Sequence, residues 1–128
     1  MSYLERSRGV VWVTPPSTLG DSDIEQMLAE LETQVRSGAR YVLIFDLSHA
    51  GIPNALQRQK LAAHVRDNDQ HIGRAVRSIG VVLTSPLARG MVTAIFWLSP
   101  PPVPYQFFTT RAGAAHWAQS LIDAQATA

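Results

Sequence analysis

Arg40-Tyr41-Val42-Leu43-Ile44-Phe45-Asp46-Leu47-Ser48-His49-Ala50-Gly51-Ile52-Pro53 is the stretch that decides the fold. Tyr41 to Phe45 is an unbroken run of β-branched and aromatic residues, and Asp46 ends it abruptly. A strand covered on both faces reads as a continuous apolar run, whereas a half-exposed strand alternates. The polar Ser48-His49 turn and the Gly51 and Pro53 breakers then place a loop at the carboxyl edge of a sheet.

The segment before this run is a helix. Ser22 and Glu25 have capping-box spacing, and Ile24, Met27, Leu28, Leu31 and Val35 fall on one stripe. Gly38 stands where a left-handed C-terminal residue is wanted. Only a short link separates this helix from Tyr41, so the helix is a crossover between parallel strands. Upstream, Tyr3–Arg6 and Val10–Thr14 flank Ser7-Arg8-Gly9 as a hairpin, which Pro15-Pro16 ends.

Downstream, Pro53 or Asn54 opens a thinly apolar helix expected to run to about His71. A buried strand follows over Ser78–Leu83. Ser85 and Pro86 then make an N-cap and first-turn pair for a third helix, Leu87–Leu98. Its stripe Leu87, Met91, Ala94, Ile95 and Leu98 is read as the inner face, with Val92, Phe96 and Trp97 adding apolar area beside it. A proline connector, Ser99–Pro104, leads to a last strand, Tyr105–Thr109. Thr110 caps a final helix whose end, from Asp123 onward, is expected to fray.

The order is a hairpin followed by α-β-α-β-α-β-α, which means an α/β domain with a mainly parallel sheet of four to five strands and four helices. The domain is expected over residues 1–122, with 123–128 as a tail. In this order of elements the chain resembles the STAS domain, the fold of the SpoIIAA-type anti-sigma-factor antagonists, and the related SpoIIAA-like and Sec14-like groups. Asp46-Leu47-Ser48 matches the Asp-Leu-Ser that ends the central strand in those proteins. Partner-switching members follow it with Asp-Ser-Ser-Gly, which carries a phosphorylated serine. The same spacing here reaches Asn54-Ala55-Leu56-Gln57, which has no hydroxyl to modify. The resemblance implies a binding or regulatory domain of SpoIIAA-like sandwich type, without that switch and without a defined catalytic centre.

Composition narrows the function further. Apolar residues are 46% and charged residues 16%, the mark of a globular chain. A net charge of +1 gives no broad nucleic-acid footprint, and the absence of cysteine removes thiolate chemistry. No segment reads as a signal or a membrane span, so a cytoplasmic, bacterial-type protein is expected.

Ligands gather at the carboxyl ends of parallel strands. Those ends would present Asp46, Ser48 and His49 from one strand, Thr84 and Ser85 from another, and Arg111 if the last strand is parallel. These six are the candidate ligand-binding residues. Asp46, Ser48 and His49 are too close in sequence to converge as a catalytic triad, so no catalytic residue and no cofactor is assigned. His64 and His71 lie seven apart, about 10 Å along a helix, which excludes joint ligation of a metal. The arginines around the second helix read as a solvated face. The third helix carries the sharpest hint, because a helix apolar on more than one stripe is either deeply sandwiched or presents a contact surface. Arg89, Val92, Phe96 and Trp97 are the candidate partner-binding residues, for a protein partner or a homodimer. The alternative expectation is a lipid or other apolar ligand held between this helix and the sheet.

Overall fold

The computed structural model describes residues 2–126. A hairpin of β1 (Leu4–Ser7) and β2 (Val10–Val13) leads into α1 (Asp21–Val35), β3 (Tyr41–Asp46), α2 (Ala55–Asp67) and α3 (Asp69–Ala75). Then come β4 (Val76–Val82), α4 (Pro86–Leu98), β5 (Tyr105–Phe108) and α5 (Arg111–Ala126). The sheet order is β1-β2-β3-β4-β5, with β1 antiparallel to β2 and every later pair parallel. The five strands, the hairpin and the α/β class agree with the reading of the sequence. The helices differ.

The second helix breaks at Asn68, where the sequence pattern continues to His71. Asn68 turns its side-chain amide back onto the His64 carbonyl at 3.0 Å, ending α2, and α3 restarts at Asp69. His64 and His71 therefore sit on separate helices. The first helix begins earlier than Ser22: Gly20 is its N-cap, and the Asp23 carboxylate accepts the Gly20 amide at 2.8 Å. Ser85 and Thr110 cap where the sequence puts them, and of Pro53 and Asn54 it is Asn54 that caps α2. Asn54 and Gln57 exchange reciprocal bonds at 2.8 and 2.9 Å, so the residues standing in place of a phosphoserine turn form a capping box instead. Thr110 accepts the Gly113 amide at 3.0 Å. The last helix runs through Ala126, past the predicted onset of fraying, and the last two residues of the expected tail lie outside the described residues.

Side chains of a strand alternate between faces, and the core divides accordingly. Val11, Val13, Tyr41, Leu43, Ile79 and Val81 pack with α1 to α4 on one face. Val10, Trp12, Val42, Ile44 and Val82 pack with Ala114 and Ala118 of α5 on the other. The run Tyr41–Ile44 is thus apolar throughout because both of its faces are covered. Gly80, on the α5 face of β4, lets that helix come close: a Cβ there would stand 2.8 Å from the Trp117 ring.

Each parallel step moves one strand further in the same direction. Right-handed crossovers taken in one direction leave all their helices on one side of the sheet, which is where α1 to α4 are found. The parallel strands never reverse their order. This sheet therefore has no crevice of the kind that opens where strand order switches. Space for a ligand has to lie elsewhere.

Candidate functional site

At the carboxyl edge of the sheet, three of the six predicted ligand-binding residues meet. Asp46 is buried, its Oδ1 accepting the Ser48 hydroxyl at 2.5 Å and the Ser48 amide at 3.2 Å. Its Oδ2 takes the Arg111 guanidinium at 3.0 Å, and that guanidinium lies 3.9 Å from the centre of the Trp12 ring. Burial alone would raise the Asp46 pKa. The bonds from Ser48 and Arg111 outweigh burial and hold it below the usual carboxylate value. A carboxylate kept ionised in this way is a weak base for activating Ser48. The remaining three residues do not join it. His49 and Thr84 are exposed, and Ser85 is occupied as the N-cap of α4, 3.4 Å from the Ala88 amide. The trio Asp46, Ser48 and Arg111 links the end of β3 to the start of α5.

The third helix of the sequence, α4, is rotated relative to its predicted orientation. Ile95 and Phe96 are buried, and Ala88 and Val92 pack against the same core. The Phe96 ring stands 4.7 Å from Tyr105 of β5, and Arg89 lies over Phe107 at 4.9 Å. Phe96 is thus inside the fold and is not available as a partner contact. Val92 is half-buried, and only Trp97 of the predicted apolar contacts is open. Of the stripe assigned to the interior, Ile95 stays buried and Met91 lies half-buried at the inner side, while Leu87, Ala94 and Leu98 face outward. Leu87 is 59% exposed, Leu98 68% and Trp97 79%, with Gly90 and Ala94 exposed between them. The one other polar side chain in this stretch, Thr93, bonds to the helix's own Arg89 carbonyl at 2.8 Å. The proline connector does not lie over this face. It passes toward α3, with Pro102 beside Gly73, and the Pro104 carbonyl accepts the Ile79 amide and the Ser78 hydroxyl, both at 2.9 Å.

Between the helix layer and the sheet lies a cavity of about 170 Å³, bounded by α1, α2, α4 and the loop Leu47–Pro53. Its lining is apolar apart from the side chain of His64. No local sequence pattern reports it, because its walls come from three helices and three strands that meet only after folding. The arginines nearby are engaged: Arg58 donates to the Pro53 carbonyl at 2.9 Å, and Arg66 faces Asp67 at 3.8 Å. Among the described residues, no group of three metal-ligating side chains stands together, and no helix is long and apolar enough to cross a membrane.

No family model matches the sequence, and neither does any curated protein. The fold does have a counterpart among solved structures. An uncharacterised protein of the DUF3478 family from Shewanella loihica PV-4, described as having a SpoIIAA-like fold, superposes with a TM-score of 0.55 at 19% identity, covering 90% of each chain. At that identity the likeness carries the fold alone, and the fold of this chain is SpoIIAA-like.

Proposed function

We propose that this chain is a non-catalytic protein-interaction domain of SpoIIAA-like type, and that its contact surface is the outer face of α4. The observation that carries this is the exposure of Leu87, Trp97 and Leu98 along one side of a helix with no charge on that side. Over twelve residues such a stripe extends about 18 Å. Contiguous exposed apolar area of this kind marks a docking surface.

A second copy of the chain is the occupant its chemistry favours. In a two-fold contact the same patch meets itself, so any charge would be brought near its own like. The sole charge on α4, Arg89, is drawn toward Phe107 of β5 and away from the stripe. Gly90 and Ala94 in the middle let another helix approach closely, with Leu87 and Leu98 as apolar flanks. A regulatory role in the cell would act through this surface, by pairing or by exchange of one partner for another. Light scattering across a concentration series tests it: wild type is expected to dimerise and Trp97→Asp to stay monomeric. A wild-type chain that remains monomeric throughout, and behaves as the variant does, would remove the self-pairing reading. Binding to a different protein, lost in Trp97→Asp, would move the surface to a heterologous partner.

The cavity supports a second reading, in which the domain holds an apolar ligand beneath α4. Its volume is similar to that of an engineered apolar cavity of about 150 Å³ that takes up benzene. Native mass spectrometry with only the bare chain mass, together with a melting temperature indifferent to small hydrocarbons, would exclude it.

A further inference from the structure

In the cavity wall, His64 is the sole polar side chain, and the geometry around it fixes what it offers. The Asn68 side-chain nitrogen bonds the His64 carbonyl at 3.0 Å, which settles the orientation of that amide. The same nitrogen lies 3.3 Å from His64 Nδ1. An amide nitrogen only donates, so Nδ1 accepts and the ring proton sits on Nε2. Among the described residues, Nε2 has no protein partner. Burial keeps the imidazole neutral, against the opposing pull of Glu32 from α1 and Asp67 from α2. Protonating Nδ1 would also set a donor against the Asn68 donor.

We infer that His64 makes the cavity selective for a small, neutral, apolar molecule bearing one acceptor oxygen, such as a ketone, ester or ether, which the Nε2–H holds. This rests on the reading of the cavity as a ligand site and adds the class of ligand. A pure hydrocarbon would strip water from the Nε2–H and leave it unpaired, whereas an acceptor oxygen replaces the lost bond. An anionic head is disfavoured. The lining contains no cation, and the charges facing His64, Glu32 and Asp67, are both negative. Two-chain lipids are too large for about 170 Å³.

The test compares cyclohexanone with methylcyclohexane, by NMR titration of wild type, His64→Leu and His64→Gln. The expected preference of wild type for the ketone, relative to His64→Leu, is roughly 3- to 10-fold, the size of one hydrogen bond. His64→Gln, which keeps a donor, should restore part of it. If neither probe enters the wild-type protein, the ligand reading fails and the inference falls with it. If both enter and His64→Leu leaves their ratio unchanged, the cavity is a ligand site but His64 does not select. Should His64→Leu fail to fold, the wild-type imidazole decides. Its Nε2 resonance is expected to move with cyclohexanone and stay with methylcyclohexane, and equal behaviour with both overturns the proposal.

Discussion

Asp46 shows how one side chain can be read correctly for position and still have its role decided by distant residues. The end of an apolar run at an acid marks the sheet edge from local sequence alone. Its partner Arg111 lies 65 positions away, and the Asp46–Arg111 pair forms because β5 runs parallel and delivers α5 to the same edge. The guanidinium is half-exposed, so solvent screens the pair and its net worth is small. Removing only the arginine is different, since a buried carboxylate then loses a partner. Arg111→Met should cost about 1–2 kcal/mol at pH 7, measured by urea unfolding. Because the folded Asp46 pKa is depressed, this stabilisation is present above the ordinary carboxylate pKa and disappears as pH falls through the folded value. Wild type and Arg111→Met are therefore expected to converge in strong acid. A difference that persists there would assign the effect to lost packing on Trp12.

At the scale of elements, legibility depended on whether the signal was local. Caps at Ser85 and Thr110 were readable because each satisfies its own backbone within three residues, whereas the choice between Pro53 and Asn54 for α2 was decided only by the Asn54–Gln57 pair. The alternation hidden inside Tyr41–Ile44 was readable because a doubly covered strand has no polar positions. The break at Asn68 left a trace in the Asn-Asp pair, but the apolar pattern runs through it and masks the stop. The facing of α4 could not be read from its own residues. A helix apolar nearly all round has no polar side to point outward, and the aromatic rings of Tyr105 and Phe107 selected Phe96 for the interior. Two neighbouring aromatics thus acquire opposite roles. Phe96→Ala should destabilise the fold by about 3–5 kcal/mol, while Trp97→Asp should change monomer stability by no more than about 0.5 kcal/mol. Chemical denaturation at low protein concentration separates them, and equal costs would mean that α4 is turned the other way.

Across the whole molecule, one topological fact organises the rest. With every parallel step taken in one direction, four helices share a single face of the sheet while α5 alone covers the other. The crowded layer leaves a void between helices and sheet, and it pushes one side of α4 outward. Both candidate surfaces follow from that crowding: an inner one with His64 as its polar group, and an outer one without charge. At the carboxyl edge of the sheet, where the sequence directs attention first, Asp46 is tied to Arg111.

The outer face of α4 is the central claim, and the chain is well suited to testing it because it contains no cysteine. Single cysteines placed at Gly90, at Ala94 and, as a control, at exposed Ala115 on α5 can be compared for disulfide-linked dimer under mild oxidation. Cysteines cross-link efficiently only where their Cα atoms come within about 7 Å. The α4 positions are expected to give covalent dimer and the α5 position little, with the α4 product abolished by adding Trp97→Asp. Cross-linking at Gly90 and Ala94 that is no greater than at Ala115 would contradict the assignment of this face.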